Sequence, residues 1–424
     1  MKLIKVLLVI LVSLSLAACS TTTDGGEKEP SEPVELIVWN TYTEHHAEAY
    51  NQIVADFNAS QTAVKVVVQP QAYQDYEAKI LQAVRNGVGP DVVSAYPTAV
   101  SAYIDEDLVV DFAPYINGEN GIADFKDNLI GNLYGEITQW GEEAIYMIPT
   151  IQTSEVLYYN ATWYDELELE VPTTWEQLEA NSRVILENKG VPGFGTDSEV
   201  DTFQDLIMQA GSGYINPETK MVEFDNETTL EQLTWFSGLV SEGVFRLVGE
   251  DFYFSNPFGS EAVGSYLGSS AGVQYALGAA GDKFTVGVAP MPQMGLGHDY
   301  IPSWGGGYIS FKTTEEKADA AFAFLKYLSS TDVSASWATT LGGLPAYKTA
   351  VETTVYQDYL NTNIAAKALY DQLDSFGWLN SIAGSASVRG YITKMVQEAS
   401  TGLKTPEQAL ADCVAASNSE LQSY

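Results

Sequence analysis

Apolar and polar positions alternate along this chain with two periods, and the switches between them predict its elements. Leu36-Ile37-Val38-Trp39 is a short unbroken apolar run, the pattern of a buried strand. Beyond Thr43, placed as an N-cap, Ala47, Tyr50, Ile53, Val54 and Phe57 recur at three to four residues and predict a helix. Val64 to Val68 reads as the next strand. Tyr76, Ile80 and Val84 mark a second helix that Gly87 to Pro90 ends, and Asp91 to Ser94 reads as a third strand. Strand, helix, strand, helix, strand in so short a span predicts a parallel sheet with right-handed crossovers. Ligands of such sheets bind beyond the carboxyl ends of the strands, here Trp39-Asn40-Thr41-Tyr42 and Ala95-Tyr96-Pro97.

From Glu143 to Asn160 the chain is long, extended and nearly uncharged, interrupted by Pro149 and the polar stretch Thr150 to Ser154. That is how a segment leaving one sheet for another should read. Thr174 with Gln177 three residues on predicts a capped helix. Residues 194–292 read as a second α/β unit, with a helix near 230–241, a strand near Ala262–Leu267, a helix after Ser270 and a strand at Phe284–Ala289. Ala318, Ala321, Phe322, Leu325 and Leu328 mark another amphipathic helix, and Thr405-Pro406 with Gln408 opens the last one through a capping box. No internal repeat is present.

The amino terminus follows different rules. Lys2 and Lys5 precede the uncharged run Val6 to Ala18, too short to span a bilayer but laid out as a secretory signal. Leu16-Ala17-Ala18-Cys19 resembles the bacterial lipobox, which implies cleavage after residue 18 and a diacylglyceryl group on the Cys19 thiol. Ser20 to Pro33 has no aromatic residue and no periodicity, so residues 19–33 read as a flexible tether. The expected location is extracytoplasmic, anchored to the membrane by lipid on Cys19.

Charge narrows the partners. The formal net charge is −36, and loss of Lys2 and Lys5 with the signal takes it to −38. Such a surface repels nucleic acid and anionic lipid. Hydrophobic residues at 46%, with 12% aromatic, are enough for sizeable cores. With Cys19 lipidated, Cys413 is the one remaining thiol, so no intrachain disulfide is expected.

Three constellations carry candidate chemistry. Gly268-Ser269-Ser270-Ala271-Gly272 matches G-x-S-x-G between a predicted strand and helix, as in a serine hydrolase with Ser270 as nucleophile. The only later histidine is His298, with Asp282 between, too little chain to assemble a triad, and Gly305-Gly306-Gly307 follows the serine instead of preceding it. The motif then reads as small residues at a helix start, or as a site for a ligand oxygen. His45 and His46 with Glu44 and Glu48 lack a third histidine and point about 100° apart on a helix, so no metal site is read and no cofactor is implied. Trp39, Tyr42, Tyr73, Tyr96 and Trp304 lie near predicted strand ends beside amides and hydroxyls such as Asn40. Flat rings over C–H faces with polar groups at the hydroxyls suit a polyol. Arg389, one of four arginines, lies in an uncharged Ser-rich context and reads as a surface residue, an ion pair between lobes or a contact for a ligand anion.

The lipobox, Thr174-Trp175-Glu176-Gln177-Leu178 after a proline, Val156-Leu157-Tyr158-Tyr159-Asn160, Gly342-Gly343-Leu344-Pro345 and the terminal Thr405–Leu410 helix together resemble the family 1 extracellular solute-binding proteins of ABC importers. The resemblance implies the class II periplasmic-binding-protein fold: two α/β lobes, each a sheet flanked by helices, joined by two or three crossings around a ligand cleft. It implies crossings near 150–154, 298–304 and Gly343, hence one lobe of residues 34–152 plus 303–343 and another of 153–302 plus 344–424. It also implies a monomer that captures a small molecule and hands it to the importer's permease subunits, without catalysis. The chain is most similar to the glycerol-3-phosphate branch and its sugar-binding relatives. Tyr73, Thr153, Ser269, Ser270, Gly305, Gly306 and Arg389 fall on positions resembling that branch's ligand contacts. Pro97 stands where a glutamate for the glycerol hydroxyls is expected, and Gly343 where a tyrosine is expected. The expected ligand is therefore a neutral sugar, with a glycerophosphate or glycerophosphodiester as the alternative.

Overall fold

The computed structural model describes residues 32–72, 76–141 and 144–424. The expectations for the signal, Cys19, most of the tether and Tyr73 lie outside them. Two sheets organise the chain. β1 (Val34–Asn40), β2 (Val64–Pro70), β3 (Val92–Ala95) and β4 (Ile148–Thr153) belong to the first. β5 (Glu155–Asn160) and β6 (Phe194–Thr196) open the second, and β7 (Ile215–Asn216) with β8 (Met221–Val222) forms a small hairpin. β9 (Phe245–Leu247), β10 (Ser265–Ser269) and β11 (Val286–Ala289) complete the second sheet. β12 (Ile301–Pro302), β13 (Trp304–Ser310), β14 (Leu344–Pro345) and β15 (Phe376–Gly377) follow.

The six-stranded sheet runs β14-β4-β13-β3-β1-β2, the five-stranded one β11-β5-β10-β6-β9, and β12 pairs with β15. β1 is parallel to both β2 and β3, as the strand–helix–strand pattern predicts. Leu36, Val38, Val92 and Val93 are fully buried because helices cover both faces of such a sheet. The helix Glu44–Ser60 buries Tyr50, Val54 and Phe57, three or four residues apart, and Phe57 packs edge-on to Phe324 with centroids 5.1 Å apart. Thr43 occupies its N-cap position without a side-chain bond. The Thr405–Gln408 capping box is present in full. At Thr174 half of one forms: its hydroxyl accepts from Gln177 N at 3.2 Å, while Gln177 Oε1 accepts from Thr173 N, one residue upstream.

The first crossing is shorter than the sequence suggests. Thr150 to Thr153 are strand residues of β4, because polar side chains are tolerated where strands run between two bodies, and Ser154 alone separates β4 from β5. The return passes through β12 and Ser303 into β13, and Leu344-Pro345 pairs with β4, so the chain still lies on the first sheet two residues past Gly343. Side chains tie the crossings together. Ser154 Oγ donates to Pro302 O at 2.6 Å; Gln372 Nε2 donates to Glu155 O at 2.7 Å, and its Oε1 accepts from Met291 N at 2.9 Å.

Candidate functional site

A cavity of about 540 Å³ opens where β1 and β3 end, beside the crossing strands β4 and β13 and opposite the turn after β10. Strand parity decides which residues reach it. Ile151 and Thr153 of β4 line it, whereas Gln152 between them points away and donates to Ser303 Oγ. Trp304 and Gly306 of β13 line it, in register with Thr153 and Ile151, whereas Gly305 turns to the opposite face. A Cβ on Gly305 would lie 2.6 Å from Glu136 Oε2.

Of the residues singled out in the sequence, Tyr42, Tyr96, Thr153, Ser269, Trp304 and Gly306 come together on this cavity. The Tyr42 hydroxyl accepts from Tyr308 Oη at 3.3 Å, its ring lies edge-on to Trp337, and burial holds its hydroxyl neutral far above neutral pH. Tyr96, 45% exposed, projects from the end of β3. Ser269 Oγ accepts from Ala271 N at 3.3 Å, bending the chain toward the cleft.

Five of the expected residues lie off this cavity. Trp39 is buried beside the cleft: its Nε1 donates to Gln69 Oε1 at 2.9 Å and Lys79 lies over its ring. Asn40 is buried too, and its Oδ1 accepts from Tyr42 N at 3.2 Å, so it shapes the turn instead of lining the cavity. Gly305 faces Glu136, as above. Ser270 is wholly buried because its backbone N donates back to Ser154 O at 2.9 Å, turning the side chain into the protein; neither His298 nor Asp282 bonds to it. Arg389 does not line the cavity: its Nη1 donates to Asp201 Oδ1 at 2.7 Å and to Gln204 Oε1 at 2.9 Å. Among the described residues no cluster of three metal-ligating side chains occurs.

Sequence reasoning missed Tyr76, Glu77, Ser94, Tyr103 and Ile151, which also line the cavity. Tyr76 and Ile80 carried a signal, but as the buried face of a helix. The Tyr76 hydroxyl donates to Trp39 O at 2.9 Å, fixing that helix on β1, and burial pushes it up to about 12. No arginine, lysine or histidine lines the cavity among the described residues; its one charged group is Glu77.

Buried carboxyls lie behind the site. Glu136 is pushed up to about 8 by burial, offset by the Ser303 hydroxyl that donates to it at 3.3 Å. Glu155, the first residue past the crossing, and Asp205 are both fully enclosed and both held far above the ordinary carboxylate range, first by burial, then by the charges of Asp201 and Asp197 at Glu155 and of Glu155 and Asp201 at Asp205. The pair thus holds its protons to a higher pH than ordinary carboxyls do.

Residues 52–363 match the family described as bacterial extracellular solute-binding protein. The sn-glycerol-3-phosphate-binding periplasmic protein of Yersinia pseudotuberculosis is 20% identical over 400 residues, 90% of each chain. The galactooligosaccharide-binding protein of Bacillus subtilis is 25% identical over 252 residues, 56% of this chain and 55% of that one. The crystal structure of the cyclic alpha-maltosyl-1,6-maltose binding protein from Arthrobacter globiformis superposes with a TM-score of 0.78, covering 92% of this chain and all of that one at 22% identity. The likeness is one of fold: two α/β lobes with the crossings between them.

Proposed function

The chain belongs to the bacterial extracellular solute-binding proteins, and we propose that it captures a neutral carbohydrate in the cleft and delivers it to the permease subunits of an ABC importer. One observation carries the choice of ligand. The cavity is walled by the rings of Tyr42, Tyr96 and Trp304, edged by the hydroxyls of Thr41, Ser94, Thr153 and Ser269, and lined by no cation among the described residues. Rings cover the C–H faces of a pyranose while hydroxyls and backbone groups meet its own hydroxyls. A phosphate would need a cation or a cluster of aimed N–H groups, and Arg389, the strongest candidate by sequence, is engaged by Asp201 and Gln204.

In this reading β1 to β4 and β13 to β14 with their helices form one lobe, β5, β6 and β9 to β11 with theirs the other, and the lobes close over the sugar by bending at the crossings. The protein binds and releases without chemistry, as a monomer held outside the cytoplasmic membrane by lipid on Cys19. The alternative ligand, glycerol-3-phosphate, is favoured by the relative matched along nine-tenths of its length.

The deciding experiment is a thermal-shift and calorimetric comparison of residues 32–424 with maltotriose, galactobiose and sn-glycerol 3-phosphate. A bound ligand at a hundred times its Kd should stabilise the protein by about 2.7 kcal/mol. Stabilisation by a neutral saccharide and none by the phosphate is the expected result; the reverse would replace this reading with the alternative.

A further inference from the structure

Glu77 sits in the first turn of the helix Tyr76–Arg85, at the edge of the cavity. Its neighbours fix where it points. Tyr76 and Ile80 are buried and hold the helix on β1 through the Tyr76–Trp39 hydrogen bond, which leaves residue 77 turned to the cleft. Water reaches the carboxylate through the open cleft, yet protein surrounds that cleft closely enough that burial raises the group above its usual range, offset by attraction to Arg389. No hydrogen bond ties it to another described residue, whereas the described cations nearby already have partners. Lys79 is turned to Gln71 Oε1 and the Trp39 ring. Arg389 is held by Asp201, with Glu155 and Asp205 behind it.

We infer that Glu77 is a specificity-determining residue of the cleft: its carboxylate accepts from two neighbouring hydroxyls of a neutral saccharide, and its charge turns phosphorylated ligands away. A carboxylate at the cavity edge that no described residue bonds can accept two O–H donors in charge-assisted bonds, stronger than the neutral bonds the tyrosines and threonines supply. Closure of the lobes removes the water that now serves those oxygens, so a ligand without donors there would leave a charge dry and unpaired. A phosphoryl group placed there would bring like charges together, with no uncommitted cation lining the cavity among the described residues to offset them. The inference rests on the carbohydrate reading and adds to it the group that reads the hydroxyls.

The test is isothermal calorimetry of wild type, Glu77→Gln and Glu77→Ala with maltotriose, galactobiose and sn-glycerol 3-phosphate, backed by thermal melts. The side chain is exposed and bonded to no other described residue, so both variants should melt as wild type does. Glu77→Gln should raise the Kd for whichever neutral probe binds wild type about tenfold, Glu77→Ala should raise it further, and both should bind the phosphate more tightly than wild type. These opposite shifts distinguish recognition from loss of structure, which would weaken every probe alike. Neutral-sugar affinity within twofold of wild type in Glu77→Gln would overturn the inference and leave the carbohydrate reading standing. Wild type that binds the phosphate more tightly than either neutral probe would overturn both.

Discussion

The guanidinium of Arg389 lies 2.7 Å from the carboxylate of Asp201, and the two residues stand on helices that pack against each other, Ser385–Ser400 and Glu199–Gln209. The ion pair therefore forms within the half of the molecule built on the second sheet, not across the cleft. Glu77, from the opposite side, is only attracted to the same arginine.

Arg389→Ala should cost about 2–3 kcal/mol of stability in urea denaturation. It leaves Asp201, 5% exposed, without its cation and close to the Glu155–Asp205 pair, and breaking a buried pair costs more than the pair is worth. Arg389→Lys should recover part of that, since it restores a positive charge but on a more strongly hydrated ammonium and a differently shaped stem. Sugar affinity should fall less than tenfold and equally for every saccharide bound. A loss confined to one ligand would show the arginine touching it.

Ser270→Ala should bind as wild type does and melt at the same temperature or higher. The buried Ser270 hydroxyl has no hydrogen-bond partner among the described residues, and removing an unsatisfied buried group recovers on the order of 1 kcal/mol. Neither protein should hydrolyse p-nitrophenyl acetate above background. Turnover by wild type that the variant lacks would restore the hydrolase reading of Gly268–Gly272.

Much of this was legible in the sequence because it depends on local period. The parallel strands, the amphipathic helices and the polar crossing near 154 all follow from which neighbours are apolar. Of the cavity-lining positions, Tyr42, Tyr96 and Trp304 are legible because they lie near strand ends, and Thr153 and Ser269 through the family resemblance. Gly305 and Gly306 could not be told apart, since the face each shows depends on β13 pairing with β4 in one register, broken between Gly306 and Gly307. Arg389 and Asp201 are 188 residues apart and Glu77 looked like any acidic surface residue in a chain with 56 of them. Such pairings are made by packing, and no spacing along the chain announces them.

Glu136 should make stability fall as pH rises. Its folded value of about 8 exceeds the ordinary 4.5, so between those limits the folded chain binds more protons than the unfolded one. Its contribution is unchanged below about pH 4.5, costs up to about 1.4 kcal/mol per pH unit within the window, and levels off above pH 8. Glu155 and Asp205 push the same way, so Glu136→Gln should reduce the slope without abolishing it. Urea denaturation at pH 5, 6.5 and 8 measures this, and an unchanged slope would show that Glu136 titrates normally.

Cys19→Ala should move the protein from the membrane pellet to the soluble fraction when the full chain is expressed in a bacterium that processes lipoproteins. Two or more acyl chains give lasting attachment where one is marginal. Metabolic labelling with palmitate should mark wild type and not the variant. A variant that still sediments with membranes would point to another anchor, and no helix among the described residues is long and apolar enough to cross a bilayer.

Trp304 offers the most direct view of ligand capture. It begins β13 one residue past Ser303, faces the cavity half-buried, and stands in register with Thr153 at the end of β4, so it shares both the binding surface and the crossing that must bend. A sugar stacked on its ring would displace water from the indole face, and closure would bring the turn at Ser269 toward it. Both changes should blue-shift and strengthen its emission in proportion to occupancy. Trp304→Ala should weaken saccharide binding by about 2 kcal/mol or more, roughly thirtyfold, because truncating a central aromatic anchor forfeits its contact area. Trp304→Phe should recover a part of that, since a smaller ring still covers C–H groups. The melting temperature without ligand should change little, for the ring is packed against the open cleft and not within the core. If Trp304→Ala binds as tightly as wild type, the sugar lies elsewhere in the cavity, and the tyrosines at 42 and 96 become the rings to truncate next.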